Sequence, residues 1–307
     1  MSSTGSSSIH RISDLHAARQ AGDRPVISFE FFTPKTEAGD VKLMEVTMPA
    51  LLELAPDYVS VTYGAGGTTR TKTLTLVDAI QKQFDLTTMA HLTCVGHTRD
   101  EIAAILDEAK ALGIRNILAL RGDPPAGESE FSKPEGGFEF SYQLVDFIRK
   151  HGGDFCIGTA GFPEGHLACA DGKLADWGYL KQKVDAGADF VLTQLFFDNA
   201  DFFAFRDHMV NELGVTVPIC PGILPILSSK QITRFTQLCG ARMPMALQTR
   251  LEDLADDDAG ATAFGIEYAT RQCEELIREG VPGLHLYSLN KAHSVSAILG
   301  NLGLDHR

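Results

Sequence analysis

Short runs of apolar and β-branched residues alternate along the chain with longer stretches in which apolar positions recur every three to four residues. The first pattern is typical of buried strands and the second of amphipathic helices. The alternation follows an amphipathic lead helix expected near residues 12–21, and it repeats about eight times. The expected strands cover residues 26–32, 58–63, 88–94, 116–121, 154–160, 190–196, 218–223 and 284–289.

Longer helical stretches separate the expected strands. They lie near residues 41–53, 71–82, 99–112, 142–150, 174–186, 200–213 and 229–238. Two further helical segments, about 247–254 and 261–279, come before the last strand, and a final helix covers about 292–302.

The regular alternation predicts an α/β fold with a parallel sheet. Eight strand–helix units in about 280 residues favour a closed (β/α)8 TIM barrel in a single domain, with an N-terminal lead helix and an extra helix before the last strand. We expect the barrel to occupy residues 25–307, after a flexible serine-rich start and the lead helix at residues 1–24. A doubly wound open sheet is the alternative, because periodicity does not show closure.

The charge balance excludes several classes of partner. The 307 residues include 27 Lys and Arg against 40 Asp and Glu, a net charge of −13, which should repel nucleic acids and acidic membranes. The six cysteines lack the spacing of a zinc site, so we expect reduced core residues and no metal. With no signal-peptide pattern and no apolar run near 18 residues, we expect a cytoplasmic protein.

Polar residues interrupt several of the expected strands or follow them directly, where a barrel of this kind collects its chemistry. Glu30 lies in an otherwise apolar strand, either as a carboxylate held by a neighbouring cation or as an acid of raised pKa. His91 in the third strand is a hydrogen-bonded core residue or a ligand-binding one. Gln194 offers a donor and an acceptor to an amide-bearing ring, or is a buried structural glutamine.

The fourth strand ends in Arg121, Gly122 and Asp123, which places a cation, a flexible residue and an anion together at the expected mouth of the barrel. The alternative is an Arg–Asp pair that only fixes the loop.

Several strings together resemble the methylenetetrahydrofolate reductases, flavoproteins of one-carbon metabolism, in their bacterial-type form with the catalytic domain only. The resemblance runs from about Ile27 to Ala292. The matching strings are Phe29-Glu30-Phe31-Phe32, Val59-Ser60-Val61-Thr62-Tyr63-Gly64, His91-Leu92-Thr93-Cys94, Leu120-Arg121-Gly122-Asp123, Thr193-Gln194-Leu195-Phe196-Phe197, Pro221-Gly222-Ile223-Leu224-Pro225 and Leu286-Tyr287-Ser288-Leu289-Asn290.

The resemblance implies a barrel with FAD at its carboxyl face. It implies ping-pong reduction of 5,10-methylenetetrahydrofolate to 5-methyltetrahydrofolate, with NADH or NADPH as hydride donor, in methionine biosynthesis. It also implies a homo-oligomer and no regulatory domain. A folate-binding barrel for non-redox methyl transfer, which needs no flavin, remains the alternative, and a catalytically silent barrel is a third reading.

The resemblance also assigns residues to roles. Glu30 would be the general acid that helps open the folate's five-membered ring toward N10, and the charge of Asp123 would stabilise the cationic iminium. The positions matched to FAD binding are Thr62, His91, Leu120, Arg121, Gly122, Asp123, His166, Asp176 and Lys183. The positions matched to folate binding are Glu30, Gln194, Gln231, Phe235 and Lys291.

Three departures from the family pattern bear on these roles. Phe162 stands where tyrosine is common, so a hydroxyl contact is missing there. Residues 166–176 lack the usual His-Pro-Glu and are one residue longer. Lys291 replaces a familiar arginine, so a folate carboxylate would meet one ammonium instead of a bidentate guanidinium.

Overall fold

The computed structural model describes residues 9–20, 22–64, 70–124 and 131–305. Eight parallel strands form a closed barrel in chain order, because β8 pairs with β1. This confirms the predicted (β/α)8 barrel and excludes the open sheet. The strands are β1 Val26–Phe31, β2 Tyr58–Val61, β3 Thr88–Thr93, β4 Asn116–Leu120, β5 Cys156–Gly161, β6 Phe190–Leu195, β7 Ile219–Ile223 and β8 Gly283–Tyr287.

Helices surround the barrel and cover its outer face. They are α1 Ile12–Ala17, α2 Glu37–Lys42, α3 Met48–Leu52, α4 Arg70–Phe84, α5 Arg99–Ala111, α6 Ser141–His151, α7 Lys173–Asp185, α8 Asn199–Asp207, α9 Ser229–Cys239, α10 Met245–Asp253, α11 Asp258–Arg278 and α12 His293–Asn301. Two π-helical segments, Leu43–Thr47 and His208–Glu212, continue α2 and α8. The helices α10 and α11 are the extra segments predicted before the last strand.

Helix boundaries differ from the predicted ones where a capping side chain is present. The helix expected from residue 41 begins at Glu37, because the Thr36 side chain accepts a hydrogen bond from the Gly39 N–H. The lead helix ends at Ala17 instead of continuing toward residue 21. The serine-rich residues 1–8 lie outside the described part of the chain. No helix among the described residues is long and apolar enough to span a bilayer.

Helix α1 closes the amino-terminal end of the barrel. Ile12 is fully buried against Tyr58, Met89 and Phe190 inside the barrel, and its N–H donates to Asn116 Oδ1 at 2.9 Å. The open end of the barrel is therefore the opposite one, where the strands finish.

The pleat of β1 separates its apolar side chains from its polar ones. Phe29 and Phe31 are fully buried in the core between the barrel and the helices. Because successive side chains alternate in direction, Ser28 and Glu30 point into the barrel. The same strand thus supplies core packing outside and a carboxylate inside.

Candidate active site

Glu30 lies inside the barrel between two imidazoles. His285 Nε2 from β8 lies 3.1 Å from Glu30 Oε2, and His91 Nε2 from β3 lies 3.3 Å from the same oxygen. The Ser60 hydroxyl of β2 donates to it at 3.4 Å. Because only 11% of the Glu30 side chain is exposed, these groups largely determine its ionisation.

The expectation that Glu30 has a raised pKa is wrong. Burial does raise the pKa of this carboxyl, but the positive charge of His91 and the hydrogen bond from His285 outweigh burial and hold the pKa well below its usual range. The apolar strand suggested an apolar environment for Glu30, but the neighbouring rings of Phe29 and Phe31 lie on the other face of the strand. The alternative, a carboxylate held by neighbouring basic groups, describes the site, and these groups are two imidazoles.

The sequence analysis missed His285 and its hydrogen-bond partner Ser28. The Ser28 Oγ lies 2.8 Å from His285 Nδ1, and the two residues pair in register across β1 and β8. His285 is a single polar residue between two buried leucines. That isolated polar position in an apolar strand was the sequence signal by which it could have been found. It is one of the most deeply buried polar residues described, with 1% of its surface exposed.

A second cluster gathers residues from the ends of β4 and β5 and from α7. The Lys183 ammonium donates to the Ala160 carbonyl at 2.9 Å. The pKa of Lys183 is lowered from 10.5 to about 8. Burial is the main cause, Asp176 opposes it, and the Arg121 charge acts in the same direction as burial. The pKa of His166 is lowered by burial and by Arg121.

Asp176 is the half-buried carboxylate of this cluster. Its pKa is raised by burial, while Lys183, His166 and a hydrogen bond from the His166 backbone lower it. Lys183 and His166 therefore lie near this carboxylate, Arg121 acts on both of them, and Asp123 adds an exposed carboxylate at the edge. No hydrogen bond or ion pair links Asp123 to any described residue. The described contacts therefore do not include the alternative, an Arg121–Asp123 pair that only fixes the loop. Residues 125–130, directly after it, lie outside the described part.

Gly122 forms a close-packed turn beside this cluster. Its φ of +87° is in the left-handed region, and a Cβ there would lie 2.5 Å from Val95 Cγ1 and 3.0 Å from Thr93 Cβ. The Thr93 Oγ1 is buried and has no hydrogen-bond partner among the described residues. A buried hydroxyl without a partner is costly unless a ligand satisfies it, so Thr93 is a further candidate that the sequence analysis missed.

These observations fit the diphosphate and ring edges of FAD. A half-buried cation pair suits a diphosphate, Gly122 allows a close backbone approach, and Thr93 offers a hydrogen bond. Thr62 follows β2 and donates its backbone N–H to the Phe31 carbonyl at 2.9 Å. Leu120 is half-buried at the end of β4. The Phe162 ring stands edge-on to His166 at 4.6 Å between centroids.

Three of the predicted folate-binding residues line one cavity of about 390 Å³. Gln231, Phe235 and Lys291 lie there. The residues around them are Phe32, Leu227, Ser228, Asp258 and Leu289. Gln194 is not among the lining residues. Its Oε1 accepts from its neighbouring Leu195 N–H at 2.9 Å, where the pairing of β6 with β7 shifts register.

A strained turn after β8 joins this cavity to Glu30. Leu289 and Asn290 have φ of +53° and +56°, values that cost non-glycine residues free energy. The Asn290 amide binds both the N–H and the carbonyl of Phe32 at 2.9 Å, and the Ser288 hydroxyl donates to the Glu30 carbonyl at 2.6 Å. Phe32 and Leu289 therefore form a wall of the cavity that is linked to the backbone of Glu30, which does not itself line the cavity.

Comparison with protein families gives one match over most of the chain. Residues 15–303 match the family described as methylenetetrahydrofolate reductase. The chain is 42% identical over 286 residues to "Methylenetetrahydrofolate reductase (NADH) 1" of Arabidopsis thaliana, covering 90% of this chain and 48% of the plant protein. It is 38% identical over 278 residues to "5,10-methylenetetrahydrofolate reductase" of Escherichia coli, covering 91% and 90%. The chain thus spans about half the length of the plant relatives and nearly all of the bacterial one.

Among solved structures, an uncharacterized protein from Clostridium thermocellum that binds two copies of 5-methyl-5,6,7,8-tetrahydrofolic acid has a similar fold. The TM-score is 0.58 at 14% identity, covering 95% of this chain and 98% of that one. At this identity the likeness concerns the fold alone.

Proposed function

The chain belongs to the methylenetetrahydrofolate reductase family, and we propose that it reduces 5,10-methylenetetrahydrofolate to 5-methyltetrahydrofolate with FAD as cofactor and NADH as donor. The observation that carries the proposal is the meeting of Gln231, Phe235 and Lys291 in a cavity whose wall continues to Glu30. NADH is favoured over NADPH because the plant relatives are named for it.

The second cluster would hold FAD, which supplies the hydride acceptor and donor that side chains lack. Arg121 and Lys183 would neutralise the diphosphate, and Gly122 would let the backbone approach it closely. His166 and Asp176 would lie along the ribose and adenine side. Thr62, His91 and Leu120 would complete the binding surface.

The cavity at α9 would hold the folate. Phe235 would pack against an aromatic ring, and Lys291 would meet the carboxylates of the glutamate tail. Gln231 uses its Oε1 to accept from the Leu227 N–H at 3.1 Å, which leaves its amide N–H groups to donate to the pterin. Gln194 reaches the pterin only if its side chain leaves the Leu195 N–H.

Glu30 and Asp123 would carry the chemistry of the folate. Glu30 would protonate N10 as its bond to the methylene carbon breaks, while Asp123, with no partner among the described residues, would stabilise the positive charge that develops at N5. Since the Glu30 carboxyl is ionised in this state, it must receive that proton before it acts.

The proposal is tested by the absorption spectrum of the purified protein under anaerobic conditions. A yellow protein that NADH bleaches and that methylenetetrahydrofolate recolours supports it. Stronger bleaching by NADPH than by NADH would overturn only the choice of donor. A colourless protein that takes up no added FAD, yet binds folate, would replace it with the non-redox methyl-transfer barrel.

A further inference from the structure

A line of hydrogen bonds crosses the barrel interior from the backbone of β8 to the Glu30 carboxylate. The Ser28 hydroxyl lies 3.4 Å from the Leu284 carbonyl oxygen, to which it donates, and 2.8 Å from His285 Nδ1. His285 Nε2 lies 3.1 Å from Glu30 Oε2. All three side chains are nearly or fully shielded from solvent.

The direction of the hydrogen bond from Ser28 to Leu284 determines which nitrogens of His285 carry protons. The hydroxyl of Ser28 has one proton, and the carbonyl of Leu284 has none to give, so the hydrogen bond between them uses the Ser28 proton. The Ser28 oxygen then accepts from His285, which requires a proton on Nδ1. The other ring nitrogen, Nε2, therefore faces Glu30 with one proton shared between the two side chains.

The shared proton can lie in either of two positions, and the total charge of the Glu30–His285 pair is the same in both. It either makes His285 an imidazolium beside a carboxylate, or leaves a neutral imidazole beside a carboxylic acid. Two bare acceptors would repel at 3.1 Å, so a pair without the proton does not explain the contact. The position on His285 matches the pKa of Glu30, which lies well below its usual range.

We propose that His285, oriented by Ser28, stores the proton that Glu30 delivers to N10 of the folate. This rests on the proposed function. The proton passes from His285 Nε2 to Glu30 Oε2, and from there to N10 as the bond between N10 and the methylene carbon breaks and N10 keeps the bonding pair. The lone pair of N5 forms the C=N5 bond of the iminium. Glu30 returns to a carboxylate, His285 is left neutral, and a solvent proton restores it before the next turnover.

The other groups that face this line are few. His91 Nε2, at 3.3 Å from Glu30 Oε2, adds positive charge on the β3 side. The pKa of Tyr287 is raised well above its usual value by burial and by the Glu30 charge. The Tyr58 phenol of β2 hydrogen-bonds with the Ser28 side chain, and burial raises its pKa well above the usual value. Cys220 of β7 lies at the barrel end closed by α1, and burial raises the pKa of its thiol. Apart from His91 and the pair itself, the described titratable groups nearby stay neutral.

The first test reads the protonation of His285 directly. Nitrogen-15 NMR of the purified flavin-bound protein, labelled at histidine, should show His285 with protons on both Nδ1 and Nε2 at neutral pH, assigned by the signal that His285→Gln removes. A bare Nδ1 with the proton on Nε2 would mean that Ser28 donates to the ring and that Glu30 and His285 share no extra proton. That result would overturn the proposal, whether or not the enzyme reduces folate.

The second test separates storage of the proton from a purely structural role of the pair. Ser28→Ala removes the acceptor for Nδ1–H, so the rate of the folate half-reaction should fall roughly tenfold or more, and its decline with rising pH should begin at lower pH. Reduction of the bound flavin by NADH needs no proton from Glu30 and should change much less. An unchanged pH profile, with folate still reduced, would overturn the storage role.

A histidine–carboxylate pair on the surface provides the matched control. His151 Nε2 contacts Asp107 Oδ1 at 2.9 Å on the outside of the barrel, so His151→Gln removes an imidazole–carboxylate contact away from the site and should leave the pH profile as it was. If the unmodified protein fails to reduce methylenetetrahydrofolate at all, the proposed function fails, while the NMR result still decides the proton positions.

Discussion

The two polar clusters at the barrel mouth bury charge in different ways. Around Glu30, one carboxylate lies between two imidazoles, groups that gain and lose protons near neutral pH. Around Lys183, the ammonium lies near the half-buried carboxylate of Asp176, and the Arg121 guanidinium acts on the same ammonium. The first arrangement suits the movement of a proton, and the second suits the binding of a fixed negative charge. A protein with net charge −13 thus concentrates positive charge locally where an anion would bind.

Among the substitutions that test this division between the two clusters, Glu30→Gln should have the largest effect on activity. The amide keeps the shape but cannot transfer a proton, so the folate half-reaction should slow by about 10²- to 10⁴-fold. Flavin reduction by NADH, which depends on the other cluster, should stay within about twofold, as stopped-flow absorbance under anaerobic conditions would measure. Equal losses in both half-reactions would show that the clusters do not divide the work.

Lys183→Met should weaken FAD binding by about ten- to a hundredfold, because a charge-assisted hydrogen bond contributes roughly 1.5–3 kcal/mol. Titration of the flavin-free protein with FAD, followed by quenching of flavin fluorescence, would measure this. The control is Lys181→Met on the same helix, where the ammonium pairs with Asp185 instead. If both variants bind FAD alike, the ammonium of Lys183 does not contact the diphosphate.

Gly122→Ala tests how closely the backbone is packed at the anion side. A methyl group would meet Val95 Cγ1 at 2.5 Å and Thr93 Cβ at 3.0 Å, so we expect a loss of about 1–3 kcal/mol in the free energy of unfolding from overpacking. Strain from the left-handed φ adds about 1 kcal/mol.

Gly136→Ala isolates the contribution of backbone strain, since its φ is +73° but no atom of a described residue lies within 4 Å of the added carbon. Urea unfolding of both variants would measure the difference. Equal losses would mean that the loop around Gly122 yields to the extra methyl.

The smallest expected effect is on the pH dependence of FAD binding. The pKa of Lys183 is lowered to about 8 in the ligand-free protein, and an ammonium is charged only below its pKa. FAD affinity should therefore be constant below that value and fall at higher pH, by at most about tenfold between pH 7 and pH 9. Lys183→Met should abolish that decrease, whereas an identical decrease in the variant would assign it to another group.

The barrel was predictable because its strands are continuous apolar runs, whose ends the sequence marks with polar residues and turns. The ends of parallel strands meet at one edge, so Arg121, Gly122 and Asp123, which follow the fourth strand, were expected together at the mouth of the barrel. The state of Glu30 was not predictable, since its partner His285 is 255 positions away and is a lone polar residue in an apolar strand. The position of Gln194 depends on a register shift between β6 and β7, which periodicity does not reveal.

The contact between Asn290 and Phe32 also has a consequence for biosynthesis. The two residues are separated by 258 positions, so a ribosome that has just released β1 must still make most of the chain before its partner exists. Until β8 emerges, Glu30 has no His285 and the folate cavity lacks the wall formed by Leu289. Nascent chains arrested before Gly283 should therefore be unable to retain folate, however much of the barrel they have already formed.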